Sequence, residues 1–220
     1  MAKKNKSLID YSLAEERFNR ISHALAVLIG LLAAAWLIVA ASQSGDPYRI
    51  VGSVVFGVSL VSFYTVSTLY HSVRSDRLRL LFRKLDHVGI YLLIAGTYTP
   101  ITLVTLRDGR GWMLFGIVWT LALAGIVFKA FMVQRIPFLA PVLYIALGWI
   151  IVIDLEGLLE GMPRKGVEWL VAGGVTYTVG IVFYAINKIP HHHGIWHLFV
   201  IGGSLCHYLC ILWYVIPLQA

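Results

Sequence analysis

The sequence predicts an all-α membrane protein, a seven-transmembrane helical bundle with its N-terminus in the cytoplasm and its C-terminus outside, and three observations carry that expectation. First, the 220 residues are 59% hydrophobic and 13% charged, with a mean hydropathy of +0.78, outside the composition of soluble domains. Second, long apolar runs with at most one charged residue each fall at about 21–48, 50–73, 87–106, 111–128, 136–153, 169–187 and 189–220. Each contains enough length to cross about 30 Å of hydrocarbon at about 1.5 Å per residue. Lipid cannot satisfy exposed backbone groups, and the runs are too continuous for barrel strands, so they are helices. Third, the segments between the runs carry 13 and 5 Lys plus Arg in alternate compartments. The positive-inside rule assigns the richer set, with the N-terminus, to the cytoplasm.

The runs leave almost nothing for a soluble domain, and no internal repeat is visible. In a soluble chain the net charge of +7 would suggest nucleic acid; here the basic residues flank apolar runs and serve orientation, so no nucleic-acid partner is expected.

Residues 1–11 read as a basic, flexible arm, and residues 12–220 as one domain. Ser12 to Glu15 has the S-x-x-E form of a capping box, which starts a helix running into the first span. On it Glu15, Asn19, Ser22 and His23 gather on one face at the cytoplasmic boundary. That face fits a solvated interfacial helix as well as part of a site. The apolar run Ala24 to Ala41 is too long for the hydrophobic region of a cleaved signal peptide.

The second span ends in Ser67-Thr68-Leu69-Tyr70-His71, with Ser67 one turn deeper than His71. A basic loop follows, and the third span opens with Leu85-Asp86-His87 and closes on Thr97-Tyr98-Thr99-Pro100. Pro100 is expected to kink the helix, with the hydroxyls absorbing freed carbonyls. Spans four and five bring Trp119, Lys129 and Trp149; Lys129 is expected to snorkel to the cytoplasmic surface. Asp154, Glu156, Glu160, Arg164, Lys165 and Glu168 read as a solvated outer loop. Gly173, Gly174 and Gly180 suit span six to close packing.

Span seven starts at Pro190, expected as an early helical residue. His193 and His197 stand four residues apart on one helix face, near enough to share a metal. Ser204 and His207 continue the same stripe toward the bilayer middle, where ionisable groups face a bundle interior or cavity. Cys206 and Cys210, the only cysteines, are one turn apart and unsuited to a structural disulfide with each other. With His207 they form a rival, deeper ligand set with no polar partner apparent at that depth.

His71, Asp86, His193 and His197 all fall at cytoplasmic ends by a topology fixed from Lys and Arg alone. Three imidazoles on rigid helices suit a divalent transition metal, with zinc the default for three His and an open fourth position. Asp86 could then orient a water or shift its proton without touching the metal. The same residues could instead cap helices and bond one another in a polar interface.

Glu15-x3-Asn19-x2-Ser22-His23, Ser67-x3-His71, Leu85-Asp86-His87-x-Gly89-Ile90, Tyr91 to Pro100, and His193-x3-His197 followed by His207 together resemble the hemolysin III branch of the progestin and adiponectin receptor family. The resemblance covers nearly all of the chain from residue 12 and is greatest to short bacterial inner-membrane members. It implies seven helices with a cytoplasmic N-terminus and a zinc ion on His71, His193 and His197. It also implies Asp86 reaching that zinc through water, Ser67 beside it, and a role in lipid or fluidity homeostasis. Through a wider grouping with alkaline ceramidases it implies hydrolysis of a lipid amide or ester. In that scheme Asp86 moves protons, Ser67 or His23 bonds the polarised oxygen, and Glu15, Asn19, Ser22 and His207 surround the site and its cavity. The alternatives are a non-enzymatic sensor or effector with a structural zinc, and a cytolytic membrane protein.

Overall fold

A computed structural model describes residues 11–132, 139–186 and 188–217; the basic arm before Tyr11 lies outside them. The described residues form no strand, and seven helical spans are long and apolar enough to cross a membrane. They are α1 (Leu13–Ser42), α2 (Pro47–Tyr70), α3 (Asp76–Pro100), α4 (Gly111–Met132), a broken span of α5 (Leu139–Gly148) and α6 (Leu155–Gly161), α7 (Arg164–Ala185) and α8 (His192–Cys210).

Helix α1 begins where the capping box places it. Ser12 Oγ accepts from Glu15 N–H at 3.2 Å and Glu15 Oε2 accepts from Ser12 N–H at 2.9 Å, two otherwise orphaned donors satisfied reciprocally. Asp46 and Pro47 start α2 in the same spirit, the carboxylate accepting from Tyr48 N–H and the proline occupying the first turn. The α1–α2, α2–α3 and α7–α8 pairs pack most extensively, and α1 also meets α8. Outward faces keep apolar side chains such as Leu28, Leu32, Trp36 and Val58 exposed, as lipid rather than water requires.

Four elements depart from expectation. The stretch Arg77 to Lys84, expected as loop, is the start of α3, so Asp86 lies about three turns inside a helix. After Pro100 the helix continues as a wider turn over Ile101–Thr105. The carbonyl that Pro100 frees belongs to Gly96, one turn back; the hydroxyls of Thr97, Thr99 and Thr102 instead donate to Leu93, Ala95 and Tyr98 O. In the fifth span a tight turn at Ile150–Asp154 leads into α6, so the expected outer loop is largely helical. Asp154 is buried there, 3.9 Å from Arg110. Lastly, α8 starts at His192 rather than at Pro190, because His191 adopts left-handed backbone (φ 57°) and turns the chain. Lys129 does not snorkel: it is 7% exposed and faces Asp86 and Arg83.

The glycines of span six perform as expected. A Cβ on Gly180 would meet the Phe199 and Trp196 side chains at 2.6 and 2.9 Å, and one on Gly173 would meet the His207 ring at 2.2 Å. Only glycine lets α7 and α8 approach this closely.

Candidate metal centre

Helix α2 ends on His71, whose backbone N–H donates to Ser67 O at 3.2 Å. Helix α8 presents His193 and His197 one turn apart on its buried face. The three rings form a nearly equilateral set, with centroids 5.2 Å (His71 to His193), 5.2 Å (His71 to His197) and 4.7 Å (His193 to His197) apart. One ring nitrogen from each lies within 4.8 Å of the others, and all three residues are buried. They could hold a metal ion. Among the described residues no other group of three or more His, Cys, Asp or Glu side chains comes together in this way. Cys206 and Cys210 make no such set; the Cys210 thiol donates to Gly166 O.

Hydrogen bonds around the rings fix which nitrogens are free. Glu16 Oε2 lies 2.7 Å from His71 Nδ1; a carboxylate only accepts, so in the neutral ring Nδ1 carries the proton and Nε2 the lone pair. That Nε2 is buried without a partner. Ser22 Oγ lies 3.3 Å from His197 Nδ1 and donates its one proton to Asn19 O at 3.0 Å. Toward the imidazole it therefore accepts, leaving His197 Nε2 deprotonated. Neither nitrogen of His193 has a partner. Leaving such groups buried and unpaired is costly unless a cation satisfies them. The donor set thus fits a divalent metal, with the Nδ1 atoms of His71 and His197 held from behind and His193 left unbonded.

The carboxylate behind His71 is Glu16, which also pairs with Arg79. The polar face expected on α1 included Glu15, yet Glu16, Asn19 and His23 also recur at helical spacing, a signal that admits Glu16 without choosing it over Glu15. Glu15 points elsewhere. Besides closing the cap it accepts from His191 N–H at 3.2 Å, fastening the turn before α8 to the start of α1. Asn19 is buried with both amide atoms unpaired, close against Gly194 of α8. His23 is fully buried and stacks on His197 with centroids 3.6 Å apart and planes 11° apart.

Asp86 is buried and one carboxylate oxygen has no partner. The Ser67 hydroxyl faces it, also without a formed hydrogen bond, and the His71 ring lies within electrostatic reach. Unpaired acid, hydroxyl and imidazole nitrogen therefore converge between α2, α3 and α8.

Tyr11, expected within the flexible arm, is partly buried and stacks on His193 with centroids 5.1 Å apart and planes 29° apart. Burial raises the pKa of its phenol, so the ring stays neutral.

Farther along α8, His207 is buried and its Nε2 donates to Leu170 O at 3.1 Å; it belongs to a cavity rather than to the histidine triangle. That cavity, about 80 Å³ in volume, lies chiefly between α3, α5, α7 and α8, with Ile94, Tyr144, Trp149, Trp196 and Phe63 of α2 among its mostly apolar walls. Of its lining residues, Trp196 precedes His197 in the chain and Phe63 packs on His23. Tyr177, on its wall, bonds Ser204 at 2.7 Å, while Tyr184 packs against His193 and Trp196.

Comparison with known proteins matches the chain to a family. Hemolysin-3 of Bacillus cereus is 44% identical over 203 residues, spanning 92% of this chain and 93% of that protein. The Hemolysin-3 homolog of Bacillus subtilis (strain 168) is 41% identical over 206 residues, 94% of this chain and 97% of its own. A human relative, monocyte to macrophage differentiation factor, is 26% identical over 211 residues, 91% of this chain and 84% of that protein. The Drosophila melanogaster adiponectin receptor protein is 27% identical over 192 residues, 72% of this chain and 39% of its own. No solved structure matches. The family model described as Haemolysin-III related matches residues 11 to 208, and the chain belongs to that family.

Proposed function

We propose that His71, His193 and His197 hold a zinc ion and that the site hydrolyses an amide or ester bond of a membrane lipid, in the service of lipid or fluidity homeostasis. The observation that carries this reading is the gathering of three buried imidazoles, with unpaired nitrogens on His71 and His193, near an unpaired Asp86 carboxylate oxygen and Ser67 hydroxyl. Zinc bound there would supply Lewis acidity and make water acidic near neutral pH. Asp86, held on α3 outside the histidine triangle, accepts a proton from the attacking water and returns it to the leaving group. Ser67 donates a hydrogen bond to the carbonyl oxygen as it gains charge. His23, stacked on His197 with both ring nitrogens unpaired, is the alternative donor to that oxygen. The cavity beside Trp196 takes the acyl chain and keeps bulk water from the reacting bond.

The distribution of Lys and Arg supports a cytoplasmic N-terminus, with the site at the cytoplasmic face of a bacterial inner membrane. The name carried by the Bacillus relatives speaks of lysis; it names an outcome and not a reaction. The decisive measurements are metal analysis of purified wild type beside His71→Ala and His193→Ala, then lipid profiling of cells and turnover assays with Asp86→Asn. Zinc in wild type alone, with turnover abolished by Asp86→Asn, is the expected result. Identical lipid profiles for wild type and Asp86→Asn, with no turnover of any lipid class by the metal-loaded protein, would remove the hydrolase.

One observation favours a second reading, a sensor or effector with a structural zinc. The histidines come from α2 and α8, which pack together chiefly through α1, so a shared metal would tie them directly. In that case His197→Ala lowers thermal stability while Asp86→Asn keeps the cellular phenotype.

A further inference from the structure

The three histidines are not held alike. His71 is fixed by the Glu16 carboxylate and His197 by the Ser22 hydroxyl, whereas His193 has no hydrogen bond on either nitrogen. A ligand that turns freely about χ2 would present its lone pair to the metal only part of the time, and metal sites ordinarily restrain such rings from behind. What restrains His193 is aromatic packing. The Tyr11 ring lies over it at 5.1 Å and 29°, and Tyr184 abuts it at 6.1 Å and 49°. Tyr11 also reaches His71 at 6.0 Å and His192 at 6.2 Å, so one side chain roofs the histidine cluster.

We propose that Tyr11 is the positioning residue for the third ligand and the lid of the metal site, its ring holding His193 in orientation and shielding the metal from the aqueous side. Tyr11 precedes Ser12, the N-cap of α1, and so stands on the one part of the site that no spanning helix anchors. The lid can lift without unfolding a transmembrane segment. The cap at Ser12 and the Glu15 contact with the His191 turn set where that hinge begins. This assignment rests on the metal-binding reading above and adds to it the group that governs metal exchange.

The experiment uses full-length wild type, Tyr11→Ala and Tyr11→Phe purified in detergent and loaded with zinc, with release to a chromophoric chelator followed in time. Stacking needs the ring and not the hydroxyl, so Tyr11→Phe should release metal like wild type, while Tyr11→Ala releases it roughly three- to tenfold faster. With cobalt(II) in place of zinc, the visible absorption bands of Tyr11→Ala should shift or broaden, while its thermal unfolding in the metal-free state matches that of wild type. A residue that merely supported the fold would move the unfolding and not the bands. Equal release rates and equal spectra for wild type and Tyr11→Ala overturn the lid and leave the metal site standing. A wild type that takes up no metal removes the reading beneath it as well.

Discussion

At the level of single residues, the site depends on which imidazole nitrogen is left bare. Glu16 settles that for His71 by accepting from Nδ1, and Arg79 holds the carboxylate in place from its other side. The outer partner of a ligating histidine raises its basicity and fixes its tautomer, and losing such partners typically weakens metal binding by about 10- to 100-fold. Glu16→Gln keeps an acceptor but drops the charge, so a loss of about tenfold is expected; Glu16→Ala should approach about a hundredfold. Competition titration against a chelator of known affinity reads both values. Unchanged affinity in Glu16→Ala would mean that His71 presents its nitrogen without help. Glu16 shows where legibility in the sequence stops. His193 and His197 declare themselves by spacing, and His71 and Asp86 by lying at corresponding ends of spans, but a glutamate beside another glutamate carries no mark of which one turns inward. The neighbouring Glu15 falls on the same helical projection as Asn19, Ser22 and His23, so spacing alone admits either glutamate. Tyr11 is invisible for a related reason: it is a single aromatic following a basic arm, and its partner His193 lies far away in the chain.

Individual elements are legible where local chemistry decides them and illegible where packing does. The start of α1 at Ser12, the seven apolar runs and the close approach of α7 to α8 through glycine follow from caps, length and side-chain size. The early start of α3 does not, because Arg77 to Lys84 is too polar to register as membrane span and yet has good helix formers throughout. The break in the fifth span is hidden because Asp154 and its acidic neighbours look solvated in sequence; in the fold Asp154 packs over α6 with its carboxylate against Gly157. Pro100 gives an element-scale prediction. The proline is seated against α2 at Gly52, where an added Cβ would lie 2.8 Å from the Pro100 Cα and 2.9 Å from its Cβ. Neither atom can swing aside, since one is backbone and the other belongs to a closed ring. Gly52→Ala must therefore part α2 from α3, an overpacking cost of about 1–3 kcal/mol. Unfolding of the purified protein in mixed micelles would show it as a lowered midpoint, with Gly116→Ala, whose Cβ meets nothing within 4 Å, as the control. A Gly52→Ala midpoint equal to that of Gly116→Ala would show that the two helices yield at this contact.

For the molecule as a whole, the bundle is closed by neighbours in sequence: α1 on α2, α2 on α3, α7 on α8. The contact between α1 and α8 brings the first and last helices together, and it is here that His71 of α2 meets the two histidines of α8. A metal at that point would tie α2 directly to α8, adding to the packing and the hydrogen bonds that already join α1 to the start of α8. Binding to the folded form alone stabilises it by mass action, about 2.7 kcal/mol when free metal is a hundred times its dissociation constant. Stripping metal from the wild type should accordingly lower its unfolding temperature, and re-adding zinc should restore it. His71→Ala should start from the lower temperature and respond to neither treatment. Asp86→Asn, whose carboxylate stands outside the triangle, should respond as wild type does, which separates loss of the tie from loss of proton transfer in the same set of scans. A chelator response that survives in His71→Ala would place the metal elsewhere and dissolve the triangle as its seat. A response lost in Asp86→Asn would make that carboxylate a ligand and end its role as the proton carrier.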